Sequence, residues 1–366
     1  MKRFYSLCLT VFSLTTLYAR DPLIVTSLDD DGPGTLREAL VNALTKDIIQ
    51  FDPLLTGTIL LESDLPPITV SQITINGPTN NSITIDGAST YRVFDIQEGP
   101  FTLTYINLVN GSHVAQGGAI YLVSDLYAYI KNVAITQASG SSGENSLFIE
   151  SNAVLDLIDV SFTSNTESQI YLNGGHANIT ATTPLTFVID GVSGSQVHKY
   201  GPSSATISTP TSITPSYYIA VAEGILSFSG EITGSASVLD KGTLQGEFTL
   251  LNLNNLGVVQ PGINGAFGTM DITGIYFPMP GDTQIKLDPA SNVDLLQIGG
   301  NALLFNAGLT LLPDSGTYTA GSKYTFLTAG GSVMGSFLSI DMGGLNAQIN
   351  YHPQFVEIEI LTTQTL

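Results

Sequence analysis

The sequence predicts an all-β protein that folds as a right-handed parallel β-helix with a short N-terminal capping helix. Short runs rich in Val, Ile, Thr, Tyr and Phe alternate with turns along most of the chain. A two-strand pattern recurs after 25 and then 27 residues, and a single segment has clear helical periodicity. A solenoid accounts for these observations, because each coil contributes a few short strands and stacked coils share one apolar core.

Residues 1–19 have the layout of a secretory signal peptide. Two basic residues precede an apolar run from Phe4 to Leu17, and Ala19 offers a cleavage point. The run is shorter than the ~20 residues that span a bilayer. The only cysteine, Cys8, lies in this segment. We therefore expect an exported chain without disulfides or thiolate metal sites.

The charge balance limits the classes of partner. The chain has 31 acidic and 11 basic residues, with a formal net charge of −20. Such a surface repels phosphate groups, which argues against nucleic-acid binding and against docking onto anionic lipid.

Residues 20–47 are predicted to form a strand and the capping helix. Gly32-Pro33-Gly34 interrupts the first strand, and Thr35 and Glu38 fit a capping box. We expect a helix over residues 35–45 that covers the open end of the solenoid. Its apolar stripe consists of Leu36, Ala39, Leu40, Ala43 and Leu44.

Residues 48–199 are predicted to form the β-helix with degenerate repeats. Three tetrapeptides share one pattern with a polar third residue, and these residues are Asn107, Asn132 and Asp159. A second β-type run follows each of them. Residues 200–216 are rich in Ser, Thr and Pro and are predicted to be a loop or linker. Residues 217–366 are predicted to continue the β-helix with more glycine.

Two motifs carry a family resemblance. Gly117-Gly118-Ala119-Ile120 and Phe162-Thr163-Ser164-Asn165 resemble the two short repeats of the chlamydial polymorphic outer-membrane proteins, which are autotransporters. The positions for further copies, residues 144–147 and 168–171, do not match, so the resemblance is degenerate. Residues 31–39 also resemble the start of exported β-helix proteins. Residues 257–272 and 324–331 resemble the closing coils of autotransporter passengers.

The resemblance implies a cell-surface, secreted or periplasmic passenger that acts as an adhesin or interaction scaffold. Its partner would be a host or bacterial surface protein or glycan. Autotransporters also carry a C-terminal membrane barrel of ~9–11-residue strands, and residues 217–366 do not sustain that alternation. We therefore expect either a separate outer-membrane barrel as a partner or a truncated relic of the family.

A polysaccharide-active β-helix enzyme, either a lyase or a glycoside hydrolase, is the alternative function. Glycoside hydrolysis needs two carboxyl groups ~5–9.5 Å apart. Asp156 and Asp159 are the best local pair, but on one strand they are expected to face opposite sides. Asp29-Asp30-Asp31 precedes the helix, where acids are favourable without any ligand.

Histidines give no metal pattern. His113, His176, His198 and His352 lie far apart in the sequence and are interpreted as loop residues. We therefore predict a protein without catalysis, and we assign no catalytic, cofactor-binding or metal-binding residue and no cofactor.

Four tyrosines leave two interpretations open. Tyr121, Tyr127, Tyr129 and Tyr171 could form outward ladders that bind a glycan or a protein, or inward ladders that belong to the core. The core interpretation is preferred, because aromatic pairs stabilise neighbouring strands.

The signal-peptide prediction can be checked directly. Intact-mass spectrometry of the protein recovered outside the cytoplasm should give a chain that begins at or near Arg20. Recovery of the Met1 form as the main extracytoplasmic species would contradict the prediction.

Overall fold

The computed structural model describes residues 20–140, 146–163, 168–210, 214–263 and 265–366. The predicted signal peptide and the last two residues of the motif Phe162–Asn165 lie outside these ranges. The described chain is a parallel β-helix with one short helix near its N-terminus, which confirms the predicted fold class. The handedness of the coil stays a prediction.

The strands of the first coils are short and follow one another with brief turns. In chain order they are β1 (Leu23–Val25), β2 (Ile48–Phe51), β3 (Gly57–Leu60), β4 (Ile73–Asn76), β5 (Ile83–Asp86), β6 (Phe94–Ile96), β7 (Phe101–Thr104), β8 (Asn107–Val109), β9 (Ser112–His113), β10 (Ile120–Leu122), β11 (Tyr127–Lys131), β12 (Ala134–Thr136), β13 (Ser139–Gly140), β14 (Leu147–Ile149), β15 (Val154–Ile158), β16 (Ser161–Thr163), β17 (Ile170–Leu172), β18 (His176–Thr180), β19 (Leu185–Gly191) and β20 (Ser195–Tyr200).

The later coils include two strands of 15 residues each, β22 and β23. In chain order the strands are β21 (Ala205–Ser208), β22 (Tyr217–Glu231), β23 (Ala236–Leu250), β24 (Leu253–Asn255), β25 (Val258–Pro261), β26 (Thr269–Ile272), β27 (Tyr276–Pro278), β28 (Asp282–Leu287), β29 (Leu295–Ile298), β30 (Ala302–Leu304), β31 (Gly308–Pro313), β32 (Thr317–Tyr318), β33 (Lys323–Ala329), β34 (Val333–Gly335), β35 (Ser339–Asp341), β36 (Ala347–Tyr351), β37 (Phe355–Ile360) and β38 (Gln364–Thr365).

Equivalent strands of successive coils pair in parallel and form the walls of the solenoid. We call the first wall sheet A; it runs through β1, β2, β4, β7, β11, β15, β18, β20 and the start of β22. A second wall contains β3, β5, β8, β12 and β16. A third, which we call sheet C, contains β6, β10, β14, β17 and the end of β19.

Inward side chains form continuous apolar columns. In sheet A, Leu103, Ile130, Leu157 and Ile179 lie in register on four successive strands, and all four are buried. Their neighbours along each strand point outward, because side chains alternate with a period of two. Burial of one face of every strand therefore determines which residues reach the surface.

The register corrects the predicted repeat. Lys131 pairs with Thr104 on one side and with Ile158 on the other, so Tyr105, Asn132 and Asp159 are the equivalent residues that follow. All three have positive φ, at 58°, 53° and 50°. Alignment of Asn107 with Asn132 was wrong by two residues, because Tyr105 adopts this left-handed turn without the Asn or Asp that usually marks it.

The N-terminal helix α1 (Leu36–Val41) is shorter than predicted. Thr35 is its N-cap, and the Thr35 hydroxyl oxygen accepts from the Glu38 amide at 3.2 Å. The Glu38 carboxylate accepts from the Gly34 amide at 2.6 Å rather than from Thr35. Of the predicted stripe, Ala43 and Leu44 lie beyond the helix, because the chain turns after Val41 to enter β2; Ala43 is still buried, whereas Leu44 is 60% exposed.

The segment interpreted as a loop or linker carries a strand of the solenoid. Within residues 200–216, β21 pairs in parallel with β19 and β22. Ala205 and Ile207 are fully buried, so two apolar residues spaced by one are enough to place this Ser/Thr/Pro-rich stretch on the core. Residues 217–366 continue the parallel stacking, and at the far end β37 pairs in antiparallel fashion with β33 on one side and with β36 on the other.

One inward position of sheet A holds a charged residue. Lys199 is in register with Ile179 and Val221 and is fully buried. Its ammonium group donates to the carbonyl oxygens of Tyr200, Gly201 and Glu223 at 2.6, 2.7 and 3.0 Å. Burial lowers the pKa of Lys199 to about 8. The three carbonyl contacts compensate for the loss of water around the ammonium group.

Candidate functional site

A polar and aromatic surface covers the outward side of sheet A on five successive strands, from β11 to β22. We call it the sheet A patch. The strands are ~4.8 Å apart, so the patch is ~19 Å long across the coils. It consists of Tyr127, Tyr129, Asp156, His176, Asn178, Gln196, His198, Tyr200 and Tyr218.

The core determines the orientation of these side chains. Ala128, Leu155, Ala177, Val197 and Ile219 are in register and buried. The residues on either side of each must therefore face outward. The patch is thus a consequence of strands in which outward residues, most of them polar or aromatic, flank one buried apolar residue.

Asp156 is the centre of a hydrogen-bond network on the patch. Its carboxylate accepts from the Tyr127 hydroxyl and, at 2.6 Å, from the Asn178 side-chain amide. Burial, the hydrogen bond to Asp156 and the charge of Asp156 raise the pKa of Tyr127. Tyr127 therefore stays protonated and acts as a fixed donor. These contacts join three successive coils and orient the two polar groups and the ring.

His198 organises the other half of the patch. Its Nε2 lies 3.1 Å from the Gln196 side-chain oxygen, and its Nδ1 lies 3.4 Å from the Tyr200 hydroxyl. The imidazole meets the rings of Tyr200 and Tyr218 edge to face, at centroid distances of 6.2 and 6.5 Å. Burial, and to a lesser degree the neighbouring His176, lowers the pKa of His198. The neutral ring is therefore favoured near pH 7.

The tyrosines are not core residues, so the preferred sequence interpretation was wrong. Tyr127 is 40% exposed, and Tyr129 is partly exposed beside it on sheet A. Tyr121 and Tyr171 face outward on sheet C and stack on Phe148, with centroid distances of 5.7 and 5.1 Å. The rings lie on two different walls of the solenoid. On both walls they face outward, because side chains alternate along a strand and the inward positions are occupied by apolar residues.

The sheet C stack continues into a buried arginine. The Arg92 guanidinium lies 4.8 Å from the Tyr121 ring centroid and donates to the carbonyl oxygens of Gly117 and Gln116. The Tyr121 hydroxyl donates to Glu150 at 2.8 Å. This column has polar partners at its edges and a nearly buried Phe148, so it stabilises the coils rather than offering an open surface.

The two candidate carboxylates, Asp156 and Asp159, lie in different environments. Asp156 is in the sheet A patch. Asp159 was predicted to lie on the opposite face of the same strand. This prediction was wrong, because β15 ends at Ile158. It lies in the following turn and accepts from the amide and hydroxyl of Thr182 at 2.8 and 2.7 Å.

Several of the acids before the helix and several of the histidines have local partners. Asp30 receives two hydrogen bonds from Arg37, at 2.7 and 2.9 Å. His113 approaches Arg92 at 2.9 Å, and His352 stacks on Phe355 at 4.0 Å. Three of the four histidines lie on strands rather than in loops as predicted, namely His113, His176 and His198. Within the described ranges, no group of three or more His, Cys, Asp or Glu residues has the geometry of a metal site.

Sequence reasoning missed Asn178, Gln196 and His198. Their signal was the tripeptides His176-Ala177-Asn178 and Gln196-Val197-His198, in which one small or branched apolar residue separates two polar ones. This is the alternation of a strand with one buried face. The 20-residue spacing between the two tripeptides differs from the longer period of the earlier coils, which hid their equivalence.

Comparison with known proteins gives no assignment. No protein-family model matches the chain, and no curated protein sequence matches it. Among the described residues, no helix has the length and apolar character needed to cross a membrane.

The lowered pKa of His198 predicts acid sensitivity of the fold. The unfolded chain takes up the proton first as pH falls below ~6.5, so stability is complete above that pH and is lost as pH falls toward the folded-state pKa. Urea unfolding at pH 7.5 and 5.5 should show a smaller loss of stability for His198→Gln than for the unchanged protein. Equal losses of stability in the two proteins would show that His198 does not cause the acid sensitivity.

Proposed function

We propose that this chain is an exported, passenger-like β-helix protein that acts as an adhesin or interaction scaffold through the sheet A patch. The observation that carries the proposal is the patch itself. Four tyrosines and two histidines are presented side by side with fixed donors and acceptors on one sheet. Tyrosines of this kind supply most of the energy at many binding interfaces, because they offer large apolar area and a polar tip.

Rigidity supports a binding role for the patch. Asp156, Asn178 and Tyr127 fix one another, and His198 is held between Gln196 and Tyr200. A partner would therefore immobilise few additional rotamers on binding, which lowers the entropic cost of association. Tyr127 and Tyr200 are about two-fifths exposed and remain available for contact.

The partner is proposed to be a host or bacterial surface protein or glycan. The formal net charge of −20 disfavours nucleic acid and anionic membrane surfaces. The resemblance to chlamydial polymorphic outer-membrane proteins supports a location on the outer-membrane surface, in the surrounding medium or in the periplasm. The resemblance is a second reason, besides the sheet A patch, to propose surface adhesion.

The polysaccharide-active enzyme is less well supported. Asp156 is the single carboxylate of the sheet A patch, and its partners are Tyr127 and Asn178. Acid–base cleavage of a glycosidic bond needs a second group placed across the scissile bond. No specific contact of Asp156 or Asp159 favours that reaction over binding.

The proposal can be tested by cell binding. The labelled protein should bind to mammalian epithelial or bacterial cells in a saturable manner. Tyr200→Ala combined with Tyr218→Ala should weaken binding at least tenfold, which corresponds to about 1.4 kcal/mol. Phe277→Ala is the matched control, because Phe277 occupies an outward position further along the same wall.

Two results would contradict the proposal. One is the absence of saturable binding to either kind of cell. The other is equal weakening by the tyrosine variant and by Phe277→Ala, which would show that the contact does not depend on the sheet A patch. Circular dichroism of each variant before the assay confirms that the fold is retained.

A further inference from the structure

A groove of about 560 Å³ lies on the later coils, outside the sheet A patch. One outward residue from each of four successive strands forms its side: Thr249 on β23, Asp271 on β26, Gln297 on β29 and Thr328 on β33. These residues are in register with one another. At ~4.8 Å per strand, the row is ~14 Å long. We call this feature the polar groove.

Successive turns beside the polar row approach one another closely. Thr273, Gly299 and Gly330 follow the strands and line the groove beside the polar row. A Cβ at Gly299 would lie 2.4 Å from the Thr273 carbonyl oxygen, and one at Gly330 would lie 2.4 Å from the Gly299 carbonyl oxygen. Glycine is therefore required at two of the three turns, where it leaves exposed backbone beside the polar row.

One side-chain oxygen of Asp271 has no partner within the described fold. Its Oδ1 is buried and has no hydrogen-bond partner within the described part of the chain. Buried carboxylate oxygens in folded proteins nearly always have donors, so an unpartnered one calls for a functional explanation. Rotation about the last side-chain bond exchanges the two oxygens, and either can then accept from a ligand in the groove.

The lining indicates the class of ligand. The groove offers a carboxylate, a primary amide and three threonine hydroxyls, and its lining contains no basic side chain. An anionic ligand would be repelled by Asp271. A compact cation would contact a single negatively charged group. The polar groups of this groove instead recur on four successive strands. A chain that carries a hydroxyl group every few ångströms fits this arrangement better.

From this geometry we infer that the polar groove is a binding site for a neutral oligosaccharide that lies across the strands. Asp271 accepts from sugar hydroxyls, Gln297 both donates and accepts, and the glycine turns allow the sugar to approach the backbone. The site is independent of the proposed adhesive role, because none of its residues belongs to the sheet A patch.

Titration of the full chain with defined sugars tests this inference. The test ligands are cellohexaose, maltohexaose and chitohexaose, with a heparin hexasaccharide as the polyanion and spermine as the cation. Isothermal calorimetry should detect saturable binding of at least one neutral hexasaccharide below 1 mM, and no binding of the heparin fragment. Binding of spermine alone, or of no neutral sugar, would overturn the inference.

Three variants locate the site. Asp271→Ala and Gln297→Ala should each weaken sugar binding at least tenfold, whereas Phe277→Ala, at a residue that does not line the groove, should leave it unchanged. The melting temperature of Asp271→Ala should not fall, because the fold gives its Oδ1 no donor. Unchanged sugar affinity in Asp271→Ala and Gln297→Ala would overturn the inference, and so would loss of affinity in Phe277→Ala alone. The cell-binding experiment above remains a separate test.

Discussion

Stacking of inward apolar side chains in register is the constraint on which the rest of the structure depends. Leu103, Ile130, Leu157 and Ile179 illustrate it on sheet A, where each lies directly beside its equivalent in the next coil. No coil can bury its apolar face alone, so the coils stabilise one another. Lys199 occupies the same column only because three carbonyl oxygens surround its ammonium group. The same constraint fixes the surface, since every inward residue places its neighbours outward.

Both proposed binding surfaces are a consequence of regular stacking. A row of outward residues from successive strands becomes a continuous surface with a spacing of ~4.8 Å, which a single loop could not provide. The sheet A patch combines aromatic rings with fixed polar groups, and the polar groove combines hydroxyl and amide groups with exposed backbone. The two surfaces lie on different coils and differ in chemistry, so we propose that they serve two different kinds of partner.

Alternation and capping signals predicted the fold class well, because they depend on local physical chemistry. Thr35 and Glu38 indicated the start of the helix, and the apolar runs indicated strands. Register was harder to predict. The interval between equivalent inward residues is 27 residues from Ile130 to Leu157, but 22 to Ile179 and 20 to Lys199. Strands of three to five residues carry too few positions to distinguish inner from outer tyrosines. The sheet A patch, which depends on register across coils, therefore could not be derived from single segments.

Disulfide trapping tests the central claim most directly. In a Cys8→Ser background the chain has no other cysteine. Asn107 and Ala134 are register partners, so cysteines at these positions should lie ~4.8 Å apart between Cα atoms and should cross-link rapidly. The pair at Asn107 and Asn132, which the sequence repeat would align, should cross-link much more slowly. Faster cross-linking of the second pair would contradict the 27-residue register and the stacked columns that depend on it.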